Sequence, residues 1–492
     1  MLLTVSARYL WLPVYKAGNA VKLHFYADGE KFQETDIIAG EDPAEYYAPM
    51  DLGRFTSREI EVRGEGAEEY LRNPLFRDEP PAVSAAYRPL LHFTAPTGWI
   101  NDPNGLVYVD GVYHLFHQWN PYGTEWGNMH WGHAVSRDLV TWEHRGIALA
   151  PDEFGTVYSG CAWQDRANAA GFGKDALLFF YTASGGRNRW SADAGRAHTQ
   201  RLAVSRNHGE TLEKSGLILD HIAGENRDPK VFFHRESGAY IMVLYLDGSE
   251  FAVFRSADLL RWTESQRFSA DPMWECPDLF ELPVEGCPDE KKWIFWSADG
   301  TYLVGSFDGF RFTPETKVLR AYDTKLPYAA QTWAGITDRV ITTAWLRTRN
   351  DRDHCRGMMS VPAELSLAVH EGEYILRFRP AREILRRFEN SRVIQPGENP
   401  CEIPLSGEPT LVRITWTAES PGEIRIGNTA LRPAAGTKET MILLDHGIIE
   451  YFDRGGLRYG ALEAAETVLQ DTLRIPAGAK RVCLERGTVL PV

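Results

Sequence analysis

The chain is organised around the stretch Gly98-Trp99-Ile100-Asn101-Asp102-Pro103-Asn104-Gly105. Asp102 lies there between two asparagines, and Pro103 removes a backbone donor and fixes φ. Gly105 permits backbone conformations that other residues avoid. A carboxylate held in this way is typical of a functional position. The same residue types also build ordinary turns, so a turn with no other role is the alternative.

Length and composition limit the class of protein. The 492 residues are enough for about two to four domains. The aromatic share of 12%, with 15 Trp, is high, and such rings either stack on sugars or fill large β cores. The net charge of -14 argues against a nucleic-acid partner, which needs basic patches, and against an anionic membrane surface.

Cysteine usage and the first residues suggest where the protein works. The six cysteines are scattered and form no CxxC pair, so the sequence indicates neither a zinc site nor a disulfide scaffold, and we expect no metal and no cofactor. Residues 1–14 lack the features of a signal peptide, and no apolar run approaches the roughly 20 residues that span a bilayer. We therefore expect a cytoplasmic protein, although a secreted chain trimmed of its signal would look the same.

Residues 89–370 repeat a pattern of apolar strands. The strand starts lie 47 to 64 residues apart, and residues 136–142 echo residues 256–262. A period of roughly 40 to 60 residues with all-β content is typical of propeller blades. Five units therefore predict a five-bladed β-propeller. The five apolar strands are residues 113–116, 177–181, 240–244, 293–296 and 340–345.

Each apolar strand follows a short polar or aromatic motif. In a propeller the first strand of each blade lines the axis, so five equivalent motifs converge on one funnel. Five unrelated turns are the alternative interpretation. The motifs are Asn101-Asp102-Pro103, Tyr158-Ser159-Gly160, Arg227-Asp228-Pro229, Glu275-Cys276-Pro277 and Ala330-Gln331-Thr332-Trp333.

Shorter alternating strands flank this repeat on both sides. Residues 1–88 read as a small β-sandwich-like module that ends in a Pro-rich linker at 73–81. After a short helical pattern at 381–389, residues 393–492 return to alternating strands and predict a C-terminal β-sandwich with the bounds 385–492. Neither flank contains an obvious group of reactive residues.

Asp102, Asp228 and Glu275 are the candidate catalytic acids. Two carboxylates that face each other across a sugar are the minimum for glycoside hydrolysis, one ionised and one protonated. The apolar neighbours of Glu275 favour a raised pKa and the role of acid, and Arg227 next to Asp228 favours an ionised aspartate. An Arg-Asp pair is also a common structural ion pair of little energetic value.

Four histidines near the first motif allow a metal interpretation. His130 and His133 lie three residues apart, but this spacing matches no standard zinc motif. Alternation along a strand puts His114 and His117 on opposite faces. We expect these histidines to serve as structural hydrogen-bonding groups.

The three acid motifs in this order closely resemble glycoside hydrolase family 32, the family of invertases, inulinases and levanases. Residues 116–121, 126–133 and 158–160 also look like the substrate-pocket segments of that family. The resemblance implies a five-bladed propeller followed by a β-sandwich, and a retaining attack on a β-fructofuranosyl bond. The residue types alone identify the same three acids but leave open which of them attacks.

The resemblance also assigns roles by position. Asp102 is then the nucleophile, Glu275 the acid/base, and Asp228 a group that holds fructose hydroxyls. The residues implied to bind substrate are Asn101, Gln118, Trp126, Ser159, Arg227 and Trp333. Two mild departures from the family pattern, Trp119 after Gln118 and Cys161 in Tyr158-Ser159-Gly160-Cys161, concern pocket shape rather than the reaction.

We therefore predict a retaining hydrolase of terminal β-fructofuranosyl bonds, with sucrose or fructan as the substrate. A transfructosylase on the same scaffold and a non-catalytic fructan-binding protein are the alternatives, and an arabinan-cleaving propeller is a more distant one. Residues 1–88 resemble the small β module that precedes the propeller in some fructan-degrading members, which favours fructan. Linkage preference, endo or exo action and oligomeric state are left open by the sequence.

Overall fold

The computed structural model describes residues 1–41, 43–82, 88–349, 354–396, 399–417, 419 and 421–487. Regular structure in these ranges is almost entirely strand. Residues 83–87 and 488–492, at the expected boundaries of the two flanking domains, lie outside the described ranges. Within those ranges, each helix falls short of the length or apolarity that a bilayer crossing requires.

Five antiparallel units of four strands each follow one another along the centre of the chain and form the blades of a propeller. The units of blades 4 and 5 are joined in one ten-stranded sheet. Blade 1 contains Gly98–Val109, Val112–Asn120, His130–Ser136 and Glu143–Leu149. Blade 2 contains Thr156–Asp165, Ala176–Ser184, Thr199–Ser205 and Glu213–Leu219. Blade 3 contains Arg227–His234, Ala239–Asp247, Glu250–Ser256 and Thr263–Ser269. Blade 4 contains Asp278–Val284, Cys287–Trp296, Thr301–Phe307 and Phe312–Pro314, and blade 5 contains Pro327–Thr332, Val340–Leu346, Ala363–His370 and Glu373–Pro380. Three short strands pair with these blades: Leu319–Arg320, Cys355–Arg356 and Met358–Met359.

The first strands of the blades lie next to one another around the axis. The first strand of blade 1 contacts those of blades 2 and 5, and blades 2 and 3 meet in the same way. Tyr108 N donates to Ala334 O and Ala334 N donates to Leu106 O, each at 2.9 Å, which joins blade 1 to the loop after the first strand of blade 5. These contacts are compatible with the propeller predicted from the repeat, and each of the five apolar strands is the second strand of its blade.

The sequence echo between residues 136–142 and 256–262 is a repeated turn after the third strand of blades 1 and 3. Asp138 Oδ1 accepts hydrogen bonds from Val140 N and Thr141 N at 2.9 and 2.7 Å. Asp258 Oδ1 accepts the equivalent pair from residues 260 and 261 at 3.0 and 2.8 Å. The leucine that follows each aspartate has a positive φ of about 60°. The echo therefore preserves a turn that an aspartate side chain stabilises.

The N-terminal module consists of two small sheets around one apolar core. The first sheet contains Leu2–Thr4, Glu59–Arg63, Asn19–Ala27 and Glu30–Ala39, and the second contains Tyr46–Asp51, Tyr9–Val14 and Leu75–Arg77. The last of these strands lies inside the segment expected to be a linker. Its register places Phe76 opposite Leu10 of the neighbouring strand, so part of that segment belongs to the module.

The C-terminal region is a sandwich of a six-stranded and a four-stranded sheet. The larger sheet contains Phe388–Ile394, Ala479–Gly487, Thr410–Trp416, Glu439–Asp445, Ile448–Asp453 and Arg458–Glu463. The smaller one contains Cys401–Pro404, Thr472–Ile475, Ile424–Ile426 and Thr429–Leu431. The helices described are the α-helices Ala67–Tyr70, Arg189–Asp193 and Arg382–Leu385 and the 3-10 helices Gly53–Phe55, Arg454–Gly456 and Glu466–Gln470.

A buried histidine, His92, connects the segment that precedes the first strand of blade 1 with the C-terminal sandwich. His92 Nδ1 lies 2.9 Å from Asp445 Oδ2, and its Nε2 lies 2.8 Å from Glu450 Oε1. Leu90 N and Leu91 N also donate to the Asp445 carboxylate, at 2.9 and 2.8 Å. Burial alone lowers the pKa of His92, but the two carboxylates outweigh it and raise the pKa to about 9.

Replacing His92 with Gln should remove the cation between two buried carboxylates and lower the free energy of unfolding by about 3–5 kcal/mol. This contribution should be complete below about pH 6.5, the ordinary pKa of histidine, because His92 is then protonated in both the folded and the unfolded chain. It should be lost as the pH rises through about 9, where the folded protein gives up the proton. Urea unfolding of both proteins at pH 6 and pH 9.5 measures the difference.

The matched control is His208→Gln, which alters an exposed histidine 3.1 Å from Asp110. That variant should unfold at the wild-type urea concentration at both pH values. A gap between wild type and His92→Gln that widens at the higher pH would contradict a cationic His92.

Candidate active site

A cavity of about 220 Å³ lies where the first strands of the blades meet. Four of the five predicted motifs contribute to it, and so do loops that follow the second strand of blade 1 and precede blade 3. A larger cleft of about 1580 Å³ lies on the N-terminal module, but none of the three motif acids reaches it. The residues that line the smaller cavity are Asn101, Asp102, Gln118, Trp126, Tyr158, Ser159, Glu225, Arg227, Asp228, Glu275, Tyr328 and Trp345.

Irregular backbone at each motif aims the side chains at the axis. The strand register shifts between Ile100 and Pro103 in blade 1 and between Arg227 and Lys230 in blade 3. Blades 2 and 5 have the same kind of shift, at 157–160 and 328–331. Asp228 and Glu275 adopt positive φ angles of 63° and 36°, which side-chain-bearing residues rarely do. Bulges and strain of this kind are typical of sites where a side chain must point in one direction.

Asp102 is held by hydrogen bonds to both carboxylate oxygens. Ser159 Oγ donates to Oδ2 at 2.5 Å, and Asn101 Nδ2 donates to Oδ1 at 3.2 Å. Trp99 Nε1 donates to Asn101 Oδ1 at 2.9 Å and so fixes the orientation of that amide. Burial raises the pKa of Asp102 to about 6, the Ser159 bond opposes the rise, and the charge of Glu275 adds to it.

Asp228 lies beside Asp102 and is more deeply buried. Cys276 N donates to Asp228 Oδ2 at 3.0 Å, and Arg227 Nε lies 3.7 Å from the same oxygen. The sequence predicted that Arg227 would keep this aspartate ionised. Instead, burial raises the pKa of Asp228 to about 7, because the loss of hydration and the nearby carboxylates outweigh the guanidinium.

Arg227 makes its shorter contacts with Glu275. Its Nη2 and Nε donate to Glu275 Oε2 at 2.7 and 3.2 Å, and the Tyr328 hydroxyl donates to Oε1. The contacts that the structure gives for this carboxyl group are therefore polar, and of its predicted apolar neighbours Met273 is buried whereas Trp274 is 43% exposed. Arg227 and Tyr328 fix the position of the Glu275 carboxyl group from two sides.

The thiol of Cys276 lies between the two aspartates. Its Sγ is 3.4 Å from Asp228 Oδ2 and 3.8 Å from Asp102 Oδ2. Burial and the surrounding carboxylates raise the pKa of this thiol well above its ordinary value. Asp102, Asp228 and Glu275, from three different blades or the loops that precede them, are thus gathered around one thiol and one guanidinium.

Five of the six residues predicted to bind substrate line the cavity: Asn101, Gln118, Trp126, Ser159 and Arg227. The prediction that the sixth residue, Trp333, binds substrate is wrong. Trp333 is 5% exposed, its Nε1 donates to Thr343 Oγ1 at 3.0 Å, and its ring packs against Tyr113 and Trp142. The bulge in the first strand of blade 5 ends before Trp333, so this side chain points into the core.

Four residues of the cavity are not among those predicted from the sequence: Tyr158, Glu225, Tyr328 and Trp345. Tyr158 belongs to a predicted motif, and Tyr328 precedes another by two residues, so the bulge in each first strand is the signal that was overlooked. Trp345 comes from the second strand of blade 5, where nothing in the sequence sets it apart from core tryptophans.

The histidines of blade 1 make structural contacts. His114 Nδ1 lies 3.2 Å from His133 Nε2 with the two rings stacked, and His117 Nδ1 lies 3.2 Å from Gln118 O. Burial lowers the pKa of His114 to about 4 and that of His117 to about 3, so both rings are neutral. Among the residues that the structure describes, no group of three or more His, Cys, Asp or Glu side chains is arranged to hold a metal ion.

Fold and site together define a five-bladed β-propeller with a cluster of carboxylates at its axis. The model of the Glycosyl hydrolases family 32 N-terminal domain matches residues 92–380, which is more than half of the chain. The chain therefore belongs to glycoside hydrolase family 32.

Named relatives support this assignment. A levanase of Bacillus subtilis is 39% identical over 331 residues, which cover 61% of this chain and 47% of the relative. An extracellular exo-inulinase of Meyerozyma guilliermondii is 35% identical over 289 residues, 52% of this chain and 54% of the relative. The chain thus spans about half the length of these curated relatives. The structure of a fructofuranosidase from Schwanniomyces occidentalis complexed with fructose shares the fold, with a TM-score of 0.72 at 24% identity over 82% of this chain and 99% of that one.

The half-buried Cys276 thiol gives a test of this site geometry that needs no substrate. Iodoacetamide at pH 8 should alkylate the exposed Cys287 within minutes and leave Cys276 unmodified, because the thiolate is the reactive form and the raised pKa suppresses it. Peptide mass spectrometry reports both sites. In urea both cysteines should react equally, and equal reaction in the folded protein would contradict the carboxylate surroundings of Cys276.

Proposed function

We propose that the protein is a retaining glycoside hydrolase that cleaves terminal β-fructofuranosyl bonds in sucrose or fructans. One observation carries the proposal: Asp102 and Glu275 face one small axial cavity, and each is held by its own hydrogen-bond donors. The family and the printed names of the relatives, levanase and exo-inulinase, supply the sugar. The flanking domains proposed for residues 1–88 and 385–492 contribute no acid to this cavity.

In the first step the Asp102 carboxylate attacks the anomeric carbon of the fructosyl unit. The new bond joins Asp102 oxygen to that carbon, the glycosidic carbon–oxygen bond breaks, and Glu275 gives its proton to the leaving oxygen. In the second step Glu275 removes a proton from water, which attacks the same carbon and releases Asp102. The two inversions give net retention, for which the two carboxyl groups lie about 5–5.5 Å apart.

The protein environment prepares each acid for its role. The hydrogen bonds from Ser159 and Asn101 favour the ionised Asp102 that attack requires. Arg227 and Tyr328 orient Glu275 towards the leaving oxygen. Three carboxyl groups converge on this cavity, and the Arg227 guanidinium pairs with only two of them, Asp228 and Glu275. The cluster as a whole therefore tends to keep a proton, which is the proton that the first step consumes.

Other cavity residues suit a single fructosyl unit. Asp228 can hold ring hydroxyls, since its carboxylate faces the cavity and accepts hydrogen bonds. Gln118 is fixed by donation from its Nε2 to Val157 O at 2.8 Å, which leaves its amide oxygen to accept from the sugar. Trp126, Tyr158 and Trp345 provide the flat apolar faces on which sugar rings stack.

Replacing Asp102 with Asn should lower kcat on sucrose, inulin and levan about 10⁴-fold, because the amide is not a nucleophile. The melting temperature should stay close to that of the wild type. Asp175→Asn, at a turn of blade 2 outside the cavity, is the matched control and should keep full activity. Near-normal activity of Asp102→Asn would contradict the assignment of Asp102 as the nucleophile. Product analysis of the wild-type reaction separates hydrolysis from transfer of fructose to another sugar.

Replacing Glu275 with Gln should affect substrates unequally. Sucrose needs a proton on its leaving oxygen and should react far more slowly, whereas the first step on 4-nitrophenyl β-fructofuranoside should be largely spared because its leaving group needs no proton. Pre-steady-state release of nitrophenol measures this step. Equal loss on both substrates would contradict the acid role of Glu275.

Ser159→Ala should shift the pH dependence of kcat/KM. Asp102 must be ionised to attack, so activity should fall as the pH drops through about 6, the pKa to which burial raises this group. Without the Ser159 hydroxyl the ionised form loses a hydrogen bond, and the acidic limb should move to higher pH. Ser136→Ala removes a similar bond to Asp138 far from the cavity and should leave the profile unchanged. A limb that stays in place or moves to lower pH in Ser159→Ala would overturn this assignment.

A further inference from the structure

The N-terminal module supplies none of the acids, yet it packs against the loop that carries a wall of the cavity. This loop, residues 121–129, joins the second and third strands of blade 1, and Trp126 lies within it. The Trp126 ring lines the cavity, is 50% exposed, and meets the Tyr158 ring edge-on at 6.0 Å between centroids. A side chain this exposed receives little support from the propeller core.

Two reciprocal hydrogen bonds tie the C-terminal end of the loop to the module. Asp36 N donates to Asn128 Oδ1, and Asn128 Nδ2 donates to Asp36 O, each at 2.8 Å. One amide side chain therefore pairs with the backbone of a module strand as a neighbouring strand would. The φ of Asn128 is 43°, a left-handed conformation that asparagine tolerates better than most residues.

The N-terminal end of the loop is anchored inside the module. Tyr122 is 2% exposed and belongs to the apolar core of the module rather than to that of the propeller. Tyr46 OH, also from the module, donates to Pro121 O at 3.2 Å. The loop is thus fixed at both ends by residues 1–82.

Asn120 connects the anchors at the two ends of the loop. Its Oδ1 accepts from Tyr122 N at 3.0 Å and from Asn128 Nδ2 at 3.1 Å, and its Nδ2 donates to Glu125 O at 2.8 Å. The residue that precedes Trp126 is therefore tied to the same network. Asn128 lies only two positions after Trp126 in the chain, so a displacement of Asn128 moves the backbone of Trp126 as well.

We propose that the N-terminal module positions Trp126 and thereby sets how tightly the cavity binds its sugar. Asn128 and Tyr122 are the positioning residues, and the module forms part of the substrate wall rather than a separate appendage. The inference rests on the proposed function and extends it, because it assigns affinity for substrate, but not the chemical step, to residues 1–82.

Asn128→Ala should raise KM five- to tenfold and change kcat less than twofold, with sucrose, inulin or levan, whichever the wild type hydrolyses fastest, as the substrate. Trp126→Ala should raise KM by a similar factor. The double variant should have nearly the same KM as Trp126→Ala alone, because displacing the ring has no effect once the ring has been removed. The side chains of Asn128 and Trp126 share no direct hydrogen bond, so such coupling reports positioning.

Asn168→Ala is the matched control. Asn168 also has a positive φ, of 54°, and its Oδ1 accepts from Gly173 N at 2.8 Å, but it lies in a blade 2 turn outside the cavity. It should keep the wild-type KM. Tyr46→Phe, which removes only the hydroxyl bond to Pro121, is the second variant if Asn128→Ala fails to fold, and it should raise KM about twofold.

Two results separate this proposal from the function on which it rests. A wild-type protein that hydrolyses none of the three sugars overturns the proposed function. A wild type that hydrolyses one of them, with KM effects of Asn128→Ala and Trp126→Ala that multiply in the double variant, overturns only the positioning role. An unchanged KM in Asn128→Ala and Tyr46→Phe does the same.

Discussion

The site depends on holding carboxylates of like charge close together at the propeller axis. Asp102, Asp228 and Glu275 converge on one small cavity, and burying carboxylates without compensation is costly. Arg227 offsets part of this cost by bonding to Glu275 and lying 3.7 Å from Asp228. The remaining electrostatic cost appears as the raised pKa of both aspartates. An arrangement this costly persists because five interlocking blades hold the backbone in place.

The regular features of the fold follow from the sequence. Second strands such as Ala176–Ser184 are buried along their whole length between neighbouring blades, so they appear as unbroken apolar runs at a steady spacing. The repeated aspartate turn at Asp138 and Asp258 shows as a sequence echo because the side chain itself makes the turn. The three acids stand out because prolines follow them in equivalent positions.

The irregular features do not follow from the sequence, for a physical reason. Which side chains reach the axis depends on one-residue shifts of strand register, and such shifts leave no periodic signal. This is why Trp333 was expected in the cavity while Tyr328, five residues earlier, was missed. The partner of Arg227 was misjudged in the same way: adjacency in the chain suggested Asp228, whereas the fold brings Glu275 from the next blade within 2.7 Å.

Asp102, and neither of the other two acids, should be the group that attacks the sugar. The most direct measurement is to react Glu275→Gln with 4-nitrophenyl β-fructofuranoside, quench the reaction, and map the labelled peptide by mass spectrometry. Without its base this variant should release the intermediate slowly, so a fructosyl group should accumulate on the Asp102 carboxylate. A label on Asp228, or release of fructose with inverted configuration and no labelled peptide, would contradict the role of Asp102 as the nucleophile.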